Sequence, residues 1–113
     1  MKKIIAIAPN ALNITGIEID LYYHIGGDQY PNARERGYYL RVSPVNRVNR
    51  DGYIIDTYDY RYTAYRYLIK TVARKSAKAE NDARERVNKL LQKTIEHVCF
   101  NNNIPAPAEN ITL

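Results

Sequence analysis

Alternating apolar and polar residues give the first half of the chain the pattern of a β-sheet. In the stretch GIEIDLYYH, Ile17 and Ile19 fall on one side of an extended chain. Glu18 and Asp20 fall on the other side, and this period of two is typical of a half-buried strand. Residues 16–24 are therefore predicted to form a strand with one face in the core.

Two further segments extend this prediction. Residues 3–8 are a short apolar run, rich in isoleucine, that ends at a proline, which predicts a short strand. Residues 38–44 alternate in the same way as the first stretch. Pro44 is expected to end this strand or to hold it at a sheet edge, because proline lacks the N–H that a central strand needs. Residues 45–50 are then expected to be a basic connection.

A turn and a returning strand complete the predicted sheet. Asp51–Gly52 is a strong signal for a tight hairpin turn, and residues 53–59 follow it as a further strand. We therefore expect an antiparallel sheet of about four strands. Its most distinctive part, residues 37–60, is dense in tyrosine and arginine. These residues are Tyr38, Tyr39, Arg41, Arg47, Arg50, Tyr53, Tyr58 and Tyr60.

From residue 62 onward the apolar period changes to three and four residues, which predicts one helical stripe. The stripe consists of Tyr65, Leu68, Ile69, Val72, Ser76, Ala79, Ala83, Val87, Leu90, Leu91, Thr94 and Val98. No glycine or proline interrupts residues 63–103. The segment is therefore either one helix of roughly 60 Å or two helices broken near Ser76–Asp82, where Asn81–Asp82 is the soft spot. Small residues in the middle of the stripe favour close contact between helices of different subunits.

The predicted fold class is thus α+β: an N-terminal antiparallel sheet of about four strands, followed by a long C-terminal helix or helix pair that oligomerises through the helices. A chain of 113 residues has room for one domain and one modest core. Residues 1–60 would form the sheet, residues 62–101 the helical part and residues 104–113 an irregular tail.

Composition points to an anionic partner. The net charge is +5, and 11 of the 12 aromatic residues are tyrosines, which pack a ring while keeping a hydroxyl in water. Acidic residues are interspersed among the cations, which weakens a pure polyanion interpretation. The single cysteine, Cys99, allows no internal disulfide and favours a reducing cytosol. The N-terminal apolar run is too short for a signal peptide or a membrane span.

Metal binding and nucleophilic catalysis find little support in the sequence. His24, His97 and Cys99 are the only histidines and cysteine, and positions 97 and 99 point in different directions on a helix. No serine or cysteine motif with an adjacent base is present. Cys99 is expected to be a buried packing residue, and no cofactor is expected. Hydrolysis of a nucleotide remains an open alternative.

Binding of a phosphorylated purine fits the sequence better. Arginines can hold phosphates through a bidentate fork, and a tyrosine ring such as Tyr58, Tyr60 or Tyr62 can stack on a base. Gly26–Gly27 could let the backbone approach a phosphate, but a plain strand connection is the favoured interpretation of the pair. Lys70, Arg74 and Lys78 are spaced four apart and would share one helical face; a solvated cationic surface is the alternative interpretation. Further cations at the expected junction of sheet and helix are Arg61, Arg66 and Lys75.

Several short motifs carry a resemblance to a known family. They are Tyr22–Tyr23, Gly26–Gly27, Tyr30, the RGYYL strand at residues 36–40, Pro44–Val45, and the basic run at residues 74–78. With these motifs the chain resembles the small phage proteins that defeat Thoeris defence by sequestering its signal. The resemblance covers roughly the central two thirds of the chain and leaves out the first strand and the tail.

The resemblance implies a non-catalytic nucleotide sponge in the host cytoplasm, assembled as a homo-oligomer (a dimer or hexamer). Its ligand would be a small-molecule nucleotide signal, glycocyclic ADP-ribose, and in some members also a cyclic trinucleotide, with no membrane partner. An aromatic residue would stack on the adenine and arginines would hold the phosphates. The predicted ligand-binding residues are Tyr23, Tyr30, Arg36, Tyr39, Arg41, Tyr60, Arg61, Arg74, Lys75 and Lys78. The alternatives are a nucleic-acid-binding protein and a phage inhibitor acting by protein–protein contact.

Overall fold

A computed structural model describes residues 1–8, 12–26 and 35–113. Within these residues the α+β arrangement predicted from the sequence is confirmed, as an antiparallel sheet followed by a single C-terminal helix. The elements are β1 (Lys2–Ala6), β2 (Gly16–His24), β3 (Gly37–Arg50), β4 (Tyr53–Thr57), β5 (Tyr65–Thr71) and α1 (Ala77–Asn101).

The long strand β3 is the centre of the sheet. It pairs with β2 on one side through Gly37 to Val45, and it pairs with β5 and then with β4 along successive parts of its length. β1 pairs with the outer edge of β2, and every pairing is antiparallel. β5 pairs only with β3 among the strands described, so β5 is an edge strand.

Pro44 does not end β3, and the predicted basic connection at residues 45–50 is the second half of the same strand. The structure explains why the proline is tolerated. Pro44 pairs with Ile17 of β2, but it lies in the gap between the pairing with β5, which ends at Val42, and the pairing with β4, which begins at Asn46. Proline is accepted where a strand has a partner on one side only.

The turn predicted at Asp51–Gly52 is confirmed. Both residues have positive φ, 54° and 85°, which is the backbone of the two-residue hairpin turns that match strand twist. The hairpin joins β3 to β4, with Arg50 opposite Tyr53.

The helical stripe predicted from Tyr65 is wrong over its first part, because Tyr65–Thr71 form β5. Lys70 therefore lies in a strand, and α1 begins only after Ser76, whose side chain accepts a hydrogen bond from the Ala79 N–H at 3.1 Å. Lys70, Arg74 and Lys78 do not share a helical face. Asn81–Asp82 lies inside α1 and does not interrupt it.

The core forms where one face of α1 packs on the sheet. Ile19 of β2, Leu40 of β3 and Leu91 of α1 are fully buried there. The small residues Ala79 and Ala83 also belong to this core, so they bring the helix close to its own sheet. Contact between helices of different subunits stays a prediction.

The polar face of β2 is also covered. Glu18 was expected on the solvent side of a half-buried strand, but only 2% of its surface is exposed. Cys99 is buried in the core, as expected. In the described part of the chain no helix combines the length and the hydropathy needed to cross a membrane.

We predict a large difference between two adjacent leucines of α1. Leu91 is fully buried and Leu90 is 45% exposed. Leu91→Ala should lower the free energy of unfolding by about 2–5 kcal/mol because it leaves a cavity in the core, whereas Leu90→Ala should lower it by less than about 1 kcal/mol. Urea denaturation of both variants measures the difference, and equal losses would contradict the packing described above.

Candidate functional site

A groove runs between the edge strand β5 and α1, and it contains two neighbouring cavities. The first has a volume of about 260 Å³ and is lined by Tyr65, Lys93, Thr94 and His97. The second has a volume of about 270 Å³ and is lined by Tyr67, Leu68, Ile69, Arg86, Lys89 and Leu90. Each cavity has a tyrosine from the strand on one side and basic residues of the helix on the other.

Two tyrosines form the strand side of this groove. Tyr65 and Tyr67 are two residues apart in β5, so their side chains leave the same face of the sheet. Their rings meet edge to face, with centroids 4.9 Å apart. The Tyr65 ring also contacts His97 of α1 edge to face at 5.6 Å. These contacts hold both rings at defined angles, and Tyr65 remains 40% exposed.

A hydrogen-bond chain joins the two cavities. The Thr94 hydroxyl donates to the Leu90 carbonyl at 3.1 Å, and it lies 3.3 Å from the Tyr67 hydroxyl. Since the only proton of the threonine hydroxyl points to Leu90, Tyr67 is the donor in the second bond. The rim between the cavities is therefore fixed by packing and by hydrogen bonds.

The helix side of the groove is a row of basic side chains. At 100° per residue, Arg86, Lys89, Lys93 and His97 lie within about 80° of one another around the helix axis. No carboxylate in the described ranges forms an ion pair with Arg86, Lys89 or Lys93. Asp82 continues the row toward the helix N-terminus, but its carboxylate is paired with Lys70 at 3.1 Å.

Arg86 has a second role in this row. Its Nη1 donates to the carbonyl of Ile69 at 3.2 Å. Ile69 is the extra residue where the pairing of β5 with β3 shifts register, so the arginine satisfies a carbonyl at a β-bulge. This contact ties α1 to β5 at one end of the groove.

Five of the residues predicted from the sequence lie near the start of α1. The Tyr23 hydroxyl and Arg36 Nη1 both donate to the carbonyl of Ala73, each at 3.3 Å. Arg74 and Lys75 follow directly in the chain and are exposed, and Lys78 is exposed in the first turn of α1. The structure brings these residues together, but none of them lines either of the two cavities. Tyr30 lies outside the described residues.

Tyr39 and Arg41 lie on the opposite face of the sheet from α1. Tyr39 is 7% exposed, and its ring stacks on Tyr22 at 5.9 Å and 21°. Arg41 donates to Glu18 Oε1 at 3.1 Å and lies over the Tyr58 ring at 4.8 Å. Both side chains are engaged within the protein.

Tyr60 and Arg61 lie toward the C-terminal end of α1. Tyr60 is 94% exposed. The Arg61 guanidinium donates two hydrogen bonds to the carboxylate of Asp59, at 2.8 and 2.9 Å, and the Arg61 backbone N–H donates a third at 2.9 Å. Together these bonds lower the pKa of Asp59 to about 2. Thr63 bonds to Asn102, just beyond the end of α1. The structure therefore does not assemble all the predicted residues into one site.

Sequence reasoning missed the residues that line the groove, although the signals were present. The basic residues at 86, 89, 93 and 97 recur at helical spacing, and Tyr65 and Tyr67 recur at strand spacing. Because residues 65–71 were assigned to a helix, the strand spacing of Tyr65 and Tyr67, which puts both rings on one face of β5, was not recognised.

A cluster of side chains surrounds the buried carboxylate of Glu18 on the face of the sheet away from α1. Glu18 is contacted by Arg41, by the Tyr58 hydroxyl and, at 3.6 Å, by Lys2 Nζ. Loss of water around the Tyr58 hydroxyl, followed by its hydrogen bond to Glu18, raises the pKa of this phenol to about 12. The cluster anchors the segment after β4 to β2. It satisfies a carboxylate that would otherwise be buried without partners.

The described residues contain no group of three or more histidine, cysteine or acidic side chains that could hold a metal ion. No protein-family model, curated protein or solved structure matches the chain.

The pH dependence of stability in Tyr58→Phe tests the cluster around Glu18. The phenol ionises near pH 10 in the unfolded chain and near pH 12 in the folded one, so ionisation favours unfolding and the free energy of unfolding should fall between these values. In the variant, the tyrosinate absorbance that develops near pH 12 should decrease by the contribution of one tyrosine, and the fall in stability should be smaller. Tyr60→Phe, at an exposed ring, should leave both features in place. An unchanged titration of Tyr58→Phe above pH 11 would contradict the assignment.

Proposed function

We propose that this chain binds a phosphorylated purine compound in the groove between β5 and α1 and holds it without converting it. The observation that carries the proposal is that Tyr65 and Tyr67 face, across two cavities, cations that form no ion pair with a carboxylate in the described ranges. Purine rings stack on aromatic side chains. Phosphate oxygens form their strongest contacts with charged donors.

The first cavity offers the contacts that one nucleotide needs. Tyr65 is a partly exposed ring that His97 holds in place. Lys93 lies on the helix side of the same cavity, with no acidic partner among the residues described. A base against Tyr65 would leave the phosphate within reach of Lys93 and His97, because the sugar separates the two parts of the ligand.

The expected affinity is moderate. One base stack contributes about 1–3 kcal/mol, and each hydrogen bond to a charged group contributes about 1.5–3 kcal/mol. One stack and two such bonds thus give about 4–9 kcal/mol, a Kd between about millimolar and micromolar. Sequestration of a scarce signal requires tighter binding, so contacts beyond a single nucleotide unit are needed.

The finer proposal follows the resemblance described from the sequence. We propose that the ligand is a cyclic ADP-ribose-type immune signal, in particular glycocyclic ADP-ribose, and that its sequestration in the host cytoplasm blocks Thoeris immunity. A cyclic oligonucleotide is proposed as a further ligand, and a homo-oligomer, either a dimer or a hexamer, as the active form. A pyrophosphate and an adenine in one compact molecule match the cations and rings of the groove.

Calorimetry with AMP and the cyclic ADP-ribose isomers tests the proposal. Tyr65→Ala and Lys93→Gln should each weaken binding at least about fivefold, because each removes a contact of 1 kcal/mol or more. Lys78→Gln is the matched control. It removes the same charge from the same helix, at the end of α1 where the sequence had predicted the site.

Three outcomes distinguish binding in the groove, binding near the start of α1, and absence of nucleotide binding. Loss of affinity in the two groove variants with an unchanged control supports the groove. Loss in Lys78→Gln alone would contradict the groove and place the ligand near the start of α1. No heat with any of these compounds would contradict nucleotide binding.

A further inference from the structure

The groove consists of two similar halves. The first half has Tyr65 facing Lys93 and His97. The second half has Tyr67 facing Arg86 and Lys89. Each half thus offers one aromatic ring from β5 and two basic side chains from α1, in a cavity of nearly equal volume, about 260 and about 270 Å³. Thr94 completes the lining of the first half, and Leu68, Ile69 and Leu90 complete the lining of the second. Two halves that each offer a ring and basic side chains suit a ligand with two units, each made of a base and a phosphate.

The two rows of side chains run at similar spacing. Tyr65 and Tyr67 are two strand residues apart, about 6.7 Å along β5. From Lys89 to Lys93 the helix rises about 6 Å, and from Arg86 to His97 it rises about 16 Å. The spacing of Lys89 and Lys93 therefore matches that of the two rings, and Arg86 and His97 extend the helix row beyond them.

We infer that the groove accepts a short single-stranded oligonucleotide, with at least two consecutive nucleotides held at once. This inference rests on the proposed function, since it assigns a base and a phosphate to each half. The first base contacts Tyr65 and the second contacts Tyr67. The backbone follows α1, with its phosphates near Lys93 and Lys89.

The geometry favours a single strand over a duplex. In a duplex the faces of the bases are stacked on one another, so they cannot contact the tyrosine rings, whereas unstacked bases of a single strand can. Base preference should be weak. The hydroxyls of Tyr67 and Thr94 bond to each other and to Leu90, which leaves few groups to read base edges.

The charge of the groove also suits a ligand with several phosphates. Arg86, Lys89 and Lys93 carry three positive charges along one face of α1, without carboxylate partners in the described ranges. A mononucleotide in one half would leave the cations of the other half unpaired. An oligonucleotide would pair both sets and gain affinity by releasing counterions.

Calorimetry with AMP and with oligoadenylates of two, three and six nucleotides tests the inference. Affinity should rise at least about fivefold from AMP to the dinucleotide, since a second base stack is gained. It should rise again or level off at three nucleotides and change little at six, because the groove then has no further rings. Oligouridylates should show the same dependence on length, and a duplex of six base pairs should bind more weakly than the single strand.

Charge variants locate the ligand within the groove. Lys89→Gln and Lys93→Gln should each weaken binding of the trinucleotide and reduce the slope of log affinity against log salt by about 0.7, the value for one phosphate contact of a single strand. Lys78→Gln, outside the groove, should leave affinity nearly unchanged. Both groove lysines are exposed, so these variants are expected to fold.

The affinities for AMP, the cyclic ADP-ribose isomers and the oligonucleotides also distinguish failure of this inference from failure of the proposed function. Equal affinity for AMP and the trinucleotide would overturn the inference and leave nucleotide binding intact. Binding of the oligonucleotides without binding of AMP or the cyclic ADP-ribose isomers would support the inference and overturn the small-molecule proposal. No binding of any of them, or tighter binding of the duplex, would overturn the inference.

Discussion

The packing of α1 on one face of the sheet is the constraint on which the rest of this structure depends. Leu91 and Val87 of the helix are buried against strands β2 and β3, and this contact determines which side of α1 faces β5. Because an α-helix turns by 100° per residue, Lys89 and Lys93 lie about 160° around the axis from Val87 and Leu91, two residues before them. Core packing therefore places these cations on the exposed side of α1.

The opposite face of the sheet shows how a basic, tyrosine-rich chain uses many of its charges internally. On this face Arg41 and Tyr58 surround Glu18, and Arg47 holds Asp56 with hydrogen bonds of 2.7 and 2.9 Å. Beyond β4, Arg61 holds Asp59 in the same way. These residues are conspicuous in the sequence, but their charges are compensated. A charge that already has a partner gains less from a ligand than an unpaired one, so the unpaired cations of α1 are the better candidates.

Local sequence patterns predicted most of the fold correctly. The alternation in GIEIDLYYH gave β2 its bounds, and Asp51–Gly52 gave the hairpin turn. The helical assignment of residues 65–71 was wrong because YRYLIKT fits both periods: residues 65, 68 and 69 have helical spacing, while 65, 67 and 69 alternate. Pairing with β3 decides the outcome, and that contact involves residues far apart in the chain. The site was harder to predict, since its two walls come from elements whose relative position depends on the same pairing.

The central claim is that the tyrosines of β5 and the cations of α1 form one ligand site. The most direct measurement is an NMR titration with AMP that follows backbone amides and tyrosine ring protons. The account predicts that the largest shifts occur at Tyr65, Tyr67 and residues 86–97, with little change at residues 73–78. Shifts confined to residues 73–78, or to the face around Tyr39, would contradict it.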